Sequence, residues 1–238
     1  MQIESVVKIN STDYGAITEH PNFYVVHVQL SSHDLQLVGG NLLTYINDSN
    51  WMSQLDDIDR CAYKARAVRT IQKLTEIIRN ALEDNGLTNN FGEYMISYTA
   101  QEVLCNTYNH TKIPLAELWK EKKSGNPGFD FHTLSNTNII VFGEAKYSSK
   151  FTPFCKAINQ INHFISAGKE LMELSDLKTL VSEESASNAM NGVRGYTAAF
   201  SARNFVDIET IIKKSIECTI GTSIMNASEI YIIIVEII

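Results

Sequence analysis

The chain has 238 residues, 44% of them hydrophobic and 20% charged, the proportions of a soluble globular protein with one large domain, or one domain with an appendage. Its formal net charge of −7 argues against a coat that binds nucleic acid over its whole surface, but not against an enzyme with one local grip. No apolar run reaches the roughly 18 residues of a membrane span, and MQIESVVKINSTDYG has no basic segment followed by an apolar core. No signal peptide is therefore expected, and a cytoplasmic location is.

Residues 22–30, NFYVVHVQL, are aromatic and β-branched and predict a strand. From Leu37 to Asn50 the pattern is mixed, and Gly39-Gly40 reads as a turn. Ile58, Cys61, Ala62, Ala65, Val68, Ile71, Leu74, Ile78 and Leu82 then recur at three- and four-residue steps. This predicts a helix from Leu55 to Leu82, closed by Asp84-Asn85-Gly86. Arg60, Lys64, Arg66, Arg69 and Lys73 lie on it with no acid between Asp59 and Glu76. Such a stripe suits a nucleic-acid backbone or an acidic partner, and equally a solvated helix face.

Asn90 is placed to cap a second helix from Gly92 to Tyr108. Ile113 to Trp119 reads as a strand or a short helix, and Gly125-Asn126-Pro127-Gly128 as a turn. Two strands follow, 128–134 and 139–147, joined by Ser135-Asn136-Thr137-Asn138. Thr152-Pro153 opens a helix with an apolar face of Phe154, Ala157, Ile158, Ile161 and Ile165. Residues 172–192 are polar and read as a loop or frayed helix. Tyr196 to Ala202 predicts a strand, Ile208 to Thr219 a helix, and the apolar run Glu229 to Ile238 a buried central strand. The class is α/β (α+β).

Cys61, Cys105, Cys155 and Cys218 show neither zinc-ligand nor redox spacing and are expected as free, mostly buried thiols. His20, His27, His33, His110 and His163 show no ligand spacing.

The sharpest feature is the hairpin. Glu144 and Lys146 share a strand face because side chains alternate. A register pairing Leu134 with Ile140 also faces Asp130 to Glu144, whereas a slip of one residue puts the carboxylates on opposite faces. Opposed carboxylates repel, but a hard divalent cation rewards them, since Mg²⁺ takes one or two carboxylates together with substrate phosphate. Lys146 beside such an ion can orient a water nucleophile and stabilise charge growing on a phosphoryl group. His132 shares the face of Asp130 and is a candidate phosphate or metal contact, with a structural histidine as the other reading. Lys120, Lys122 and Lys123 precede the motif and are candidate phosphate contacts.

Gly128-Phe129-Asp130, a hairpin, Glu144-Ala145-Lys146 and then a helix resemble the PD-(D/E)xK nuclease superfamily, with Phe-Asp in place of Pro-Asp. The resemblance implies a restriction-endonuclease-like core, a mixed central sheet flanked by helices. It implies Mg²⁺, with Mn²⁺ as a substitute, held by Asp130, Glu144, the Ala145 carbonyl and Glu93 of the preceding helix. Asp130, Glu144 and Lys146 become the catalytic set. Gln160, in QINHF, is similar to the Q-x-x-x-Y element of RecB-like members, with Phe for Tyr. More narrowly, residues 90 to 238 resemble the HamA C-terminal-domain-like family, the nuclease subunit of Hachiman antiphage defence. That implies DNA as substrate and a HamB-like helicase as partner. The chain then divides into an N-terminal region, 1–88, a strand and a long helix with no motif of its own, for which partner binding is the expectation, and a nuclease-like core, 89–238. The rival readings are a non-catalytic interaction scaffold of nuclease-derived fold and a stand-alone restriction endonuclease.

Overall fold

The computed structural model describes residues 1–9, 20–83, 87–120, 128–203 and 207–238. In chain order the elements are β1 (Gln2–Lys8), β2 (Phe23–Leu30), α1 (Ser32–Asn47), α2 (Asp57–Glu83), α3 (Asn89–Tyr108), β3 (Thr111–Ile113), α4 (Ala116–Trp119), β4 (Phe131–Leu134), β5 (Ile140–Lys146), α5 (Phe154–Ser166), α6 (Lys169–Leu177), α7 (Glu183–Met190), β6 (Gly195–Arg203), α8 (Ile208–Ile220) and β7 (Glu229–Ile237). Two short 3-10 turns, Asn50–Gln54 and Ser223–Asn226, complete them.

The seven strands among the described residues form one mixed sheet in the order β1-β2-β7-β6-β5-β4-β3. β2, β7, β6 and β5 run parallel, and β1, β4 and β3 pair antiparallel to their neighbours. β7 is central and buried along its length up to Glu236, as a nearly unbroken Ile/Val run requires when both faces are covered. β2 pairs with it from Phe23↔Ile230 to Leu30↔Ile237. The sheet therefore takes in two strands from the first 88 residues, β1 and β2, together with the strands that carry the motif.

Alternating side chains divide the core into two layers. Phe142, Tyr196, Phe200 and Ile232 face α5 and α8 through Ile158, Ile161 and Ile216. Val141, Ala145, Ala199 and Ile233 face α3, α1 and α2 through Met95, Ile96, Leu42 and Leu74. Among the described residues no helix is long and apolar enough to cross a membrane.

The structure departs from the sequence reading at four places. Gly39-Gly40 is no turn but the middle of α1; a Cβ on Gly39 would lie 2.6 Å from the Leu82 side chain, so that glycine lets α1 lie close on α2. The N-cap of α3 is Thr88, whose hydroxyl accepts from the Phe91 amide at 3.3 Å, two residues before Asn90. Residues 172–192 fold largely as α6 and α7. Their buried positions include Glu170, Glu173 and Ser185, so apolar periodicity does not mark them.

The fourth departure is chemical. Cys155 and Cys218 are bonded to each other, with Cα atoms 6.1 Å apart and a sequence separation of 63, because α5 and α8 pack side by side on one sheet face. Cys61 and Cys105 are free, the first exposed and the second half-buried. Asp84-Asn85-Gly86, Lys122, Lys123 and most of the turn 125–128 lie outside the described residues.

Candidate active site

Asp130 stands one residue ahead of β4, and Glu144 and Lys146 close β5. The hairpin register is Leu134↔Ile140 through Phe131↔Gly143, the register that faces the two carboxylates. It continues outward: the Asp130 amide donates to the Gly143 carbonyl at 2.9 Å, and the Asp130 carbonyl accepts from the Ala116 amide at 3.2 Å. Asp130 Oδ2 accepts from the Ala145 amide at 2.9 Å. That bond bridges the two strands between Glu144 and Lys146.

Glu144 is fully buried. Lys146 Nζ donates to its Oε1, while Oε2 is buried and accepts no hydrogen bond from the described residues. A buried carboxylate oxygen without a donor is costly and marks a place where a cation or a proton belongs. Burial first, and Asp130 second, push the Glu144 carboxyl well above the ordinary range. Burial likewise raises Asp130, against the pull of Lys146. Burial alone would lower Lys146, but Glu144 and Asp130 together outweigh it and hold the ammonium above its usual value.

Glu93 approaches from α3. Its carboxylate lies 4.0 Å from Lys146 Nζ, and burial raises its pKa against the pull of Lys146. Gly92 permits this approach, since a Cβ there would fall 2.2 Å from the Tyr147 ring. The four charged side chains expected from the sequence thus come together, drawn from one helix and two strands. A cavity of about 170 Å³ opens beside them, lined by Asn90, Glu93, Tyr94, Ser97, Glu117 and Asp130.

Glu117, on α4, is absent from the sequence reading. It is close enough to raise the Asp130 carboxyl further. A lone acid in the short helix of LAELW gives no periodic signal, and only the contact of α4 with Asp130 reveals it.

The remaining candidates fall elsewhere. His132 is fully buried. Its ring packs on Trp119, Phe129 and Phe142, and its Nε2 meets Glu173 Oε2 at 2.8 Å, so it presents no surface to a substrate. Burial keeps it below the usual histidine pKa. Gln160 is half-buried on α5 and does not line the cavity. Lys120 is engaged by Glu173 and the Phe129 carbonyl, and Lys123 lies outside the described residues.

The donor set suits a hard cation: oxygen ligands only, two facing carboxylates, and one buried oxygen without a partner. Among the described residues no group of three or more His, Cys, Asp or Glu side chains is disposed to hold a metal unaided. A Mg²⁺ site of one or two carboxylates completed by water and phosphate does not need one. Comparison of the chain with protein-family models, curated proteins and solved structures returned no match.

Proposed function

We propose that the protein is a metal-dependent nuclease that hydrolyses DNA phosphodiester bonds at the Asp130–Glu144–Lys146 site. The observation that carries this reading is the buried, unpartnered Oε2 of Glu144 facing Asp130 across the hairpin. Structural economy would not place a second carboxylate opposite the first. A mixed sheet flanked by helices, with α3, the antiparallel strands β3, β4 and β5, α5 and the parallel strand β6, supports the restriction-endonuclease-like core of this reading.

Asp130 and Glu144 would hold Mg²⁺ with the Ala145 carbonyl, and water and substrate phosphate would complete the shell; Glu93 would join it only by moving from its place beside Lys146. When bound, the ion polarises a phosphoryl oxygen and lowers the pKa of a water molecule. Lys146 is an ammonium at neutral pH. It therefore acts by donating hydrogen bonds to the attacking water and to the phosphoryl oxygens where charge grows, not by accepting a proton. Glu93, 4.0 Å from Lys146 Nζ, adds a second carboxylate beside that ammonium. The hairpin register and the Asp130–Ala145 bond hold the carboxylates in place before substrate arrives, so little reorganisation is left for the reaction step.

The resemblance to the Hachiman nuclease subunit supports a role in antiphage defence with a helicase partner. That partner would supply the broad grip on DNA that a chain of net charge −7 lacks.

The test is plasmid degradation by the purified protein with Mg²⁺, with Mn²⁺ and with chelator, beside Glu144→Ala and Lys146→Ala. Metal-dependent cutting lost in both variants supports the reading. Cutting that survives both overturns the site.

A further inference from the structure

We infer that Glu173, on α6, is a positioning residue that holds the Asp130 segment in register; the inference rests on the cation-site reading above. Only 8% of Glu173 is exposed, and its carboxylate reaches both sides of Asp130. Oε1 accepts from the Phe129 amide at 2.9 Å and from Lys120 Nζ at 2.6 Å. Oε2 meets His132 Nε2 at 2.8 Å. Lys120 Nζ also donates to the Phe129 carbonyl at 2.5 Å. Both main-chain polar groups of the residue before Asp130, and the ring of the residue two after it, are therefore bound to one buried acid and its lysine.

The ladder alone does not do this. β4 pairs with β5 from Phe131 to Leu134, so Phe129 lies beyond its last pair. Phe129 is itself buried, against Phe142, Phe164 and Tyr196. An amide in that setting needs an acceptor, and Glu173 is the acceptor it has. An acid twenty-nine residues beyond Glu144 on a separate helix thereby fixes the main chain on either side of Asp130, while the Ala145 amide holds the carboxylate itself. Removing a group that supports a metal ligand from outside its coordination shell typically costs about 10–100-fold in metal affinity.

A buried acid can also serve stability alone, and Glu170 offers the comparison. It lies on the same helix, is as deeply buried, and accepts from Arg194 at 2.7 Å and Tyr196 at 3.2 Å. Among the described residues its hydrogen-bond partners are Arg194 and Tyr196, not Phe129, Asp130 or His132.

The experiment titrates Mn²⁺ calorimetrically into the full chain, its Glu173→Gln variant and its Glu170→Gln variant, with thermal unfolding recorded for each. Lys120→Met carries the same test if Glu173→Gln does not fold. The expected result is a Kd raised about 10–100-fold by Glu173→Gln and by Lys120→Met, and unchanged by Glu170→Gln even though that variant is also less stable. Wild-type affinity in the folded Glu173→Gln variant, or in Lys120→Met where it stands in, overturns the inference and leaves the cation site standing. Equal weakening by Glu170→Gln overturns it as well, by showing only a general loss of stability. Absence of Mn²⁺ binding by the wild type overturns the cation reading, and the inference with it.

Discussion

Asp130 Oδ2 accepts a hydrogen bond from the amide of Ala145 at 2.9 Å, so the first carboxylate of the site is fastened to the strand that carries the second. The bond needs an acceptor, not a charge. Asp130→Asn can keep it through its amide oxygen while removing the charge that helps raise the Glu144 carboxyl. The expected outcome is a thermal midpoint at or above wild type, with DNA cleavage reduced about 100-fold or more. A midpoint well below wild type would show that the aspartate serves the fold.

Gly92 faces Tyr147, and an added Cβ would fall 2.2 Å from the ring. Gly92→Ala should push Tyr147 aside and with it the main chain after Lys146, opening the 4.0 Å approach of Glu93 to Lys146. Overpacking of this kind costs typically about 1–3 kcal/mol, or roughly 2–12 °C in Tm for a chain of this size. Cleavage should fall more than stability predicts. Calorimetric scans beside cleavage rates check both parts.

At the far end of the sheet, His110 is buried with Nδ1 on Thr133 at 3.0 Å, Nε2 on the Tyr231 hydroxyl at 3.3 Å, and Glu229 Oε2 3.9 Å away. Burial lowers its pKa to about 4. The folded state thus prefers the neutral ring, and the unfolded chain takes up the proton first. Stability from this group is complete above about pH 6.5, is lost as pH falls through about 4, and is constant below. The loss is on the order of 3 kcal/mol. The difference in unfolding free energy between wild type and His110→Gln should shrink by that order from pH 7 to 4; a difference independent of pH would contradict it.

Cys155 joins α5 to α8 through Cys218. Cys155→Ser should lower stability by roughly 2–5 kcal/mol, and a reductant should lower wild type to the level of the variant without moving the variant further. Thiol counting in denaturant without reductant should find the two free cysteines, Cys61 and Cys105. Finding all four would contradict the bond.

Much of the site was legible because hairpin physics is local. A strand's period of two and a short turn fix the register, so Leu134↔Ile140 and the meeting of Asp130 with Glu144 could be drawn from residues 128–147 alone. β7 was equally plain, since a strand buried on both faces is apolar throughout. Other features were hidden for stated physical reasons. α1 was obscured because Gly39 suits a close helix contact as well as a turn. α6 was obscured because its buried anchors include Glu170 and Glu173, whose place inside depends on Arg194, His132 and Lys120 from other elements. Glu117 and the Cys155–Cys218 bond depend on which helices pack together, and one sequence carries no direct signal of that. His132 kept the expected face of its strand, but the face is sealed by Trp119 and α6.

The most direct measurement of the central claim is titration of Mn²⁺ into the wild-type protein and Glu144→Gln, with neither DNA nor a partner present. The account predicts binding by the wild type and its loss, or a weakening of at least about 10-fold, when the buried carboxylate becomes an amide. Equal binding by the two proteins, or none by the wild type, would contradict it.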